Sequence, residues 1–263
     1  MTPWLALLAI TLFEGGDVAG YKRVPPPGVR YRMNMAMATS APWIDSNLWR
    51  YRRNPSYKYL SAVKGKSVML AMAEAGAMRA NLALEIAPEQ KAGYDRITAW
   101  LAKVPAGPVA PWANFNVSDD GSAMAGEVQL LMARRNLLYK IAPPKQAQFK
   151  LSSAIKNPYE FVLDTRDQFG DDKRVLRLFG SELTMAELTR EGSRIRLHLI
   201  NYGSRPVEAL RLRIAGRFTA CHVKALVFDD DAPELREFTF ENGFTEFTLG
   251  KLPVYAVLDF EAR

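Results

Sequence analysis

The chain has little of the side-chain chemistry on which many enzyme classes depend. Among its 263 residues there is one cysteine, Cys221, and there are two histidines, His198 and His222. A single cysteine excludes an internal disulfide and a cysteine-based metal cluster. The two late histidines exclude a histidine-rich site or a serine–histidine triad in the first half. We therefore expect no metal and no cofactor. Cys221 lies in an apolar strand pattern, which predicts a buried, unreactive thiol.

The chain also lacks an apolar run long enough to cross a bilayer. The stretch from Trp4 to Phe13 has ten uncharged residues, which is too few to span a membrane but enough for the hydrophobic part of an export signal. We expect residues 1–19 to be such a signal, which predicts a periplasmic or extracellular protein. The alternative is that this stretch forms a first core strand. No transmembrane segment is expected in the mature chain.

Runs of one charge are scarce as well. Lys and Arg number 35 and Asp and Glu 28, a formal net charge of +7, but the basic residues are spread along the chain. Without a basic run or a binding motif, this composition indicates an ordinary basic surface and no nucleic-acid partner. Apolar residues make up 48% of the chain and charged residues 24%, which is typical of a folded globular protein.

The stretch from Pro111 to Ala142 predicts a strand, an acidic turn, a helix and a second strand. Such a unit belongs to a parallel sheet, whose ligands lie beyond the carboxyl ends of the strands. Upstream, the patterns predict a strand from Val29 to Met37, a helix from Lys66 to Arg79 and a strand from Asn81 to Ile86. After a Pro-rich link over residues 20–28, we therefore expect an open, mainly parallel α/β domain over residues 29–172. Glu74, inside the first helix, is expected to be solvated or to act as a capping group.

The last third changes to short alternating segments separated by turns. Eight such segments predict an antiparallel β-sandwich domain over residues 173–263. The full fold expectation is thus α/β plus all-β. The alternation from Arg194 to Leu199 is nearly perfect, and it predicts that His198 points outward with the polar residues.

The peptide from Ala41 to Arg53 concentrates side chains that bind sugars. It holds two tryptophans, one carboxylate, one amide and three arginines. Indole faces stack on sugar rings, and the polar groups can hold hydroxyls. We expect a loop whose ligand-binding side chains are Trp43, Asp45, Asn47, Trp49 and Arg50. The alternative is a loop pinned by buried tryptophans and salt-bridged on its surface.

Three carboxylates are candidates for catalysis. Glu85, Asp119 and Asp120 each end a predicted strand, so they would gather at one edge of the expected sheet. Paired carboxylates are what glycoside hydrolysis requires. The alternative is that Asp120, Gly121 and Ser122 supply the turn and the N-cap of the following helix.

Several peptides carry a resemblance. The segments RLHLINY (196–202) and PVEALRLR (206–213) resemble a strand pair of the C-terminal β-sandwich domains of bacterial glycoside hydrolases. The peptides PWIDSNLWR, DDGS, GEV and RRNLLY look like those of an uncharacterised family of exported bacterial proteins. The α/β plan is similar to the glutamine-amidotransferase-like domain of some β-galactosidases. That resemblance implies an accessory or oligomerisation module without the catalytic barrel.

Three functions follow as hypotheses. The first is an exported, carbohydrate-associated accessory or binding protein without catalysis. The second is a small glycoside hydrolase that uses paired carboxylates, which is the enzyme class expected if the chain is catalytic. The third is a structural subunit that assembles with itself or with a partner protein through the aromatic peptide.

Overall fold

The computed structural model describes residues 10–34 and 39–261. It divides into two compact units, Met1–Ala106 and Gly107–Arg263. Both units contain helices and strands, so the chain is mixed α and β. In the parts of the chain that the model describes, no helix is both long and apolar enough to cross a membrane.

The first unit contains a parallel sheet and a separate hairpin. Its strands are β1 (Ile10–Leu12), β2 (Tyr21–Arg23), β3 (Gly28–Asn34), β4 (Thr39–Asp45), β5 (Lys58–Ala62) and β6 (Asn81–Glu85). Its helices are α1 (Leu48–Arg53), α2 (Lys66–Met78) and α3 (Lys91–Leu101), with a 3-10 turn at Pro88–Gln90 before α3. Four strands form a parallel sheet in the order β1-β6-β5-β2, whereas β3 and β4 pair antiparallel.

Helix α2 is the central helix of this unit. Nine of its thirteen residues are buried, five of them alanine or glycine, and small side chains allow close packing. The helix ends where Arg79 adopts a left-handed conformation with φ 52°. The predicted helix and the strand that follows it, β6, are confirmed within one residue.

The N-terminal apolar run takes part in the sheet. Ile10 pairs in parallel with Leu82 of β6, and the Phe13 N–H donates to the Leu84 carbonyl at 2.9 Å. Residues 10–12 thus form a strand at the edge of the sheet in which no residue is buried, as the alternative of a strand expects but outside the core. Residues 4–9 lie outside the described part. The Pro-rich link is also ordered: it contains β2, and Val24 is buried.

The second unit begins with a smaller α/β part. Its strands are β7 (Phe115–Asp119), β8 (Tyr139–Ile141) and β9 (Phe149–Leu151), and its helices are α4 (Ala123–Arg134) and α5 (Pro158–Phe169), followed by a 3-10 turn at Asp171–Lys173. The three strands are parallel in the order β8-β7-β9. The predicted strand–helix–strand unit is confirmed, but the expected single sheet is wrong: the parallel strands belong to two sheets, one in each unit.

The sandwich completes the second unit. Its strands are β10 (Leu176–Phe179), β11 (Thr184–Glu191), β12 (Arg194–Asn201), β13 (Val207–Ala215), β14 (Val223–Val227), β15 (Leu235–Glu241), β16 (Phe244–Leu252) and β17 (Tyr255–Glu261). They form two antiparallel sheets, β10-β13-β16-β15 and β11-β12-β17-β14. Apolar residues of both sheets form one buried cluster. All eight predicted strands are present, which confirms a sandwich architecture.

Two expectations about single residues in the sandwich are wrong. His198 is buried, and its Nδ1 lies 2.7 Å from the Tyr255 hydroxyl. Alternation correctly separates His198 from its core-facing neighbours, but the opposite face of this sheet is covered, since the Gly107 backbone packs against the Arg196 guanidinium. Cys221 is exposed, because it lies in a 3-10 turn (Ala220–His222) before the buried part of β14 begins.

Candidate functional site

The predicted sugar-binding peptide is not a loop. Residues up to Asp45 form β4, and α1 starts at Leu48. The junction is fixed by the Glu74 carboxylate, because both of its oxygens lie 3.2 Å from the Asn47 backbone nitrogen. The Ser46 hydroxyl accepts from the Leu48 N–H at 3.2 Å. A carboxylate suits this position, since the first N–H groups of a helix have no partners within the helix and attract negative charge.

Glu74 is fully buried, so the expectation of a solvated group is wrong. The alternative of a capping group holds, because the carboxylate accepts from the Asn47 N–H at the start of α1. The cause is the environment of α2, whose burial extends almost around its whole circumference. The carboxylate influences its neighbours. Burial lowers the pKa of Arg50, and the negative charge of Glu74 opposes that shift. Burial raises the pKa of Tyr51 well above its ordinary value, and Glu74 adds to that shift.

Trp43 and Asp45 lie on one face of the β3–β4 hairpin. Trp43 is directly opposite Arg30, and Asp45 is opposite Gly28, so the three side chains share that face. Arg30 and Asp45 form a two-pronged ion pair, with Nη2 2.7 Å from Oδ1 and a second contact from Nε to Oδ2. The hydrogen bond to Asp45 raises the pKa of Arg30. Trp43 is half-buried. We refer to Arg30, Trp43 and Asp45 as the hairpin face.

The other three predicted ligand residues are held by the protein itself. Asn47 is buried, and its amide donates to the Pro25 carbonyl at 2.9 Å and accepts from Arg50 Nη1 at 3.0 Å. Arg50 also stacks on Trp49, with its Cζ 4.3 Å from the ring centroid. The Arg53 guanidinium lies 5.0 Å from the same ring. Trp49 is therefore flanked by two cations.

Asp119 and Asp120 shape the turn after β7. Asp119 accepts from the Gly121 N–H at 2.8 Å and from Gln129 Nε2 at 2.7 Å. Asp120 accepts from the backbone N–H groups of Ser122 at 2.9 Å and Ser153 at 2.8 Å. Every carboxylate oxygen of the pair thus receives a hydrogen bond.

Ser122 caps the helix that follows this turn. Its hydroxyl accepts from the Ala125 N–H at 3.1 Å at the start of α4. The predicted turn and N-cap chemistry is confirmed.

Glu85 ends β6 at the carboxyl edge of the first unit's sheet. It faces Arg23, whose Nη2 is 3.4 Å from Oε1. Beside this edge is a cavity of about 370 Å³, lined by Leu12, Phe13, Glu14, Leu84, Ile86, Ala87, Pro88 and Lys91. Glu85 belongs to the first unit and the two aspartates to the second. The expected cluster of all three carboxylates therefore stays a prediction.

Arg30 is the member of the hairpin face that sequence reasoning missed. The alternation of β3 placed it among the polar residues, but only the strand register shows that it meets Trp43 and Asp45. Within residues 10–34 and 39–261, no three His, Cys, Asp or Glu side chains are grouped to hold a metal ion.

Comparison with known proteins gives a fold likeness. No protein-family model and no curated sequence matches the chain. The α-L-fucosidase isoenzyme 2 of Paenibacillus thiaminolyticus matches over 82% of this chain and 62% of its own, with 8% identity and a TM-score of 0.52. A GH30 endoxylanase from Clostridium papyrosolvens matches 89% of this chain and 76% of its own at 11% identity, with a TM-score of only 0.24.

The likeness to the fucosidase shows a shared fold. An identity of 8% carries no information on activity, and the chain spans about three fifths of the fucosidase's length. A maltogenic α-amylase from Thermotoga neapolitana covers 82% of this chain and 58% of its own at 11% identity, but its TM-score of 0.22 adds nothing to the fold. The chain thus has a fold like that of this fucosidase.

Proposed function

We propose that this chain is a carbohydrate-associated binding protein that works without catalysis and holds its ligand on the hairpin face. The observation that carries the proposal is the register that places the Trp43 indole beside the Arg30–Asp45 ion pair. An indole offers a stacking surface to the C–H face of a sugar ring. A guanidinium and a carboxylate at its margin offer a donor and an acceptor to neighbouring hydroxyls.

The absence of catalysis is supported by what the predicted catalytic carboxylates do instead. Asp119 and Asp120 organise the turn before α4, and Glu85 pairs with Arg23. A glycosidase needs one carboxyl group that gives up a proton to the leaving oxygen and a second on the other side of the scissile bond. Moving Asp119 or Asp120 to such a position would break the turn that starts α4.

Carbohydrate as the ligand class is supported by the fold likeness to a fucosidase together with the hairpin face. The protein is exported in this proposal, with residues 1–19 as the signal. N-terminal sequencing of the protein recovered from its source cells tests that part. A mature N-terminus at Gly20 supports export by cleavage, and an intact Met1 contradicts it.

The experiment for binding is a titration of intrinsic tryptophan fluorescence with a panel of soluble neutral oligosaccharides, with reducing-sugar release measured in the same wells. A saturable change that disappears in Trp43→Leu and weakens in Asp45→Asn is expected. Trp112→Leu is the matched control, since Trp112 is another half-buried indole beside an arginine, Arg190, in the second unit.

Two outcomes contradict the proposal. Sugar release that is abolished by Asp120→Asn would identify an enzyme, because loss of an essential acid or base costs about two or more orders of magnitude in rate. No response in either channel would end the carbohydrate proposal and favour a structural subunit. In that case Trp49→Ala is expected to change the oligomeric state.

A further inference from the structure

The outer face of the sheet β10-β13-β16-β15 carries arginines and phenylalanines that the hairpin face does not use. Leu212 and Ile214 of β13 lie in the sandwich core, so the residues that alternate with them point away from it. On this outer face we define a basic strip: Arg177, Phe179, Arg211, Arg213 and Phe244.

The strand register brings like charges together in the strip. Arg177 is directly opposite Arg213, and Phe179 is opposite Arg211. Like charges in directly opposed positions destabilise a sheet. Glu246 of β16 lies directly opposite Arg213 on its other side and offsets part of this repulsion. An anion bound near the two arginines would offset more of it.

Aromatic rings hold the guanidinium groups in place. Arg177 and Arg211 both lie over Phe179, with Cζ to centroid distances of 4.8 and 5.6 Å. Arg213 lies over Phe244 at 4.5 Å. A guanidinium group that is already stacked on a ring loses less conformational entropy when it binds a ligand. The strip is therefore preorganised for binding.

The neighbouring carboxylate Asp171 is shared by three arginines. Its oxygens are hydrogen-bonded to Arg166 at 2.6 and 3.1 Å and to Arg174 at 3.2 Å. Arg177 forms a looser ion pair with the same carboxylate, with its Nη2 3.6 Å from Oδ2. Arg211 forms an ion pair with Glu246 of β16.

Arg213 is anchored by the 3-10 turn before β10. Its Nη2 donates to the Asp171 carbonyl at 2.7 Å, while its Nε is buried and has no hydrogen-bond partner among the residues that the structure describes. Burial lowers the pKa of Arg213, and the charge of Arg177 lowers it further. The negative charges of Glu246, Asp171 and Asp172 act in the opposite direction.

We propose that the basic strip binds an acidic glycan, an oligosaccharide whose uronate or sulfate groups pair with Arg177, Arg211 and Arg213. The planar guanidinium group matches a carboxylate or a sulfate with two parallel hydrogen bonds. Arginines two residues apart on a strand are about 7 Å apart, and neighbouring strands are about 4.8 Å apart, so successive charged sugars can meet successive arginines. The sugar part of this ligand rests on the proposed function. The anionic part stands on the strip itself.

The test is isothermal titration of the full chain with oligogalacturonate and with sulfated dextran oligomers. The neutral controls are methyl-esterified oligogalacturonate and plain dextran, at one fixed salt concentration. We expect binding of at least one acidic form, which distinguishes uronate from sulfate, and about tenfold weaker affinity for each arginine removed in Arg177→Gln and Arg211→Gln. The variants with lysine at the same positions keep the charge but lose the fork, and they are expected to recover only part of the affinity.

The matched control is the double variant Lys145→Gln and Lys156→Gln. It removes two positive charges, as Arg177→Gln and Arg211→Gln together do, but from exposed residues of the α/β part of the second unit. An equal loss of affinity in this control would overturn the proposal, because it would show attraction by net charge alone. Equally tight binding of duplex DNA that depends on the same arginines would also overturn it. Thermal unfolding of each variant verifies that it is folded.

The two proposals fail separately. Trp43→Leu is expected to leave acidic-glycan binding unchanged. If neutral sugars bind through Trp43 but no acidic glycan binds through the strip, only the acidic-glycan inference is overturned. If an acidic glycan binds through the strip but Trp43 responds to no sugar, only the hairpin-face proposal is overturned.

Discussion

Asn201 offers the sharpest test of how the sandwich is held together. Its side chain is fully buried at the end of β12, in the turn before β13. The amide donates to the carbonyls of Arg205 at 2.8 Å, Leu252 at 3.2 Å and Pro253 at 3.0 Å. Its Oδ1 accepts from the Gly203 N–H at 2.9 Å. One side chain thus connects its own turn to the turn between β16 and β17.

We predict that Asn201→Ala lowers the free energy of unfolding by about 3 kcal/mol. The amide has two hydrogens for the three carbonyls, so two donated bonds and one accepted bond, at about 1 kcal/mol each, set the scale. The carbonyls of Arg205 and Pro253 lie at partly exposed contacts, so water can replace part of the loss there. Urea unfolding measures the change as a shift in midpoint at constant m-value. Ser204→Ala, at an exposed position in the same turn, is expected to stay within about 0.5 kcal/mol of the unmodified chain.

Asn201→Asp separates the donor role from the shape of the side chain. The carboxylate keeps the acceptor for Gly203 but points an oxygen at three carbonyls, so it should destabilise more than Asn201→Ala at neutral pH. Burial and these carbonyls favour the protonated acid and raise its folded-state pKa above the unfolded value of about 3.9. The extra loss should therefore shrink as pH falls toward 4. Equal stability of the two variants at neutral pH would refute this reasoning.

Three further predictions concern Ser122, Asn136 and Tyr59. Ser122→Ala removes the cap hydrogen bond to Ala125 and should lower the free energy of unfolding, measured in urea, by about 1 kcal/mol. Ser122→Asp should retain most of this stability, because aspartate is also a good N-cap. Asn136→Gly should lower the free energy of unfolding by about 2 kcal/mol, because the Asn136 amide donates to the Thr184 carbonyl at 3.1 Å and accepts from the Ala186 N–H at 2.8 Å. Asn136→Ala should lower it further, since φ at this position is 51° and alanine disfavours that conformation. Burial raises the pKa of Tyr59 to about 12, so this tyrosine should ionise late in a phenolate absorbance titration. Because the unfolded chain ionises near pH 10, the chain should lose stability between pH 10 and 12, and less so in Tyr59→Phe.

Periodicity predicted the sandwich because its strands are long. Each of the strands β11, β12, β13 and β16 has eight or nine residues, enough for several turns of a two-residue period. Strands β1 and β2 have three residues each, too few to show any period. Their positions come from pairing with β6 and β5, partners far away in the sequence.

The candidate site was predictable in composition but not in arrangement. The aromatic and polar content of residues 41–53 is visible in the sequence, and Trp43 and Asp45 do lie on one face. The start of α1 depends on Glu74, a residue 27 positions away from Asn47. The pairing of Arg30 with Asp45 depends on a hairpin register. His198 shows the same limit, since alternation sorts a strand's residues into two faces without telling which face is covered.

The position of β1 links processing to the shape of the parallel sheet. A cut after Ala19 would release this strand and turn β6 into the sheet's outer strand, with its row of backbone donors and acceptors open to a new partner. The same cut would take away Leu12, Phe13 and Glu14, one wall of the cavity at the carboxyl edge. Under the proposed export, the chain before and after this cut would present different surfaces beside Glu85.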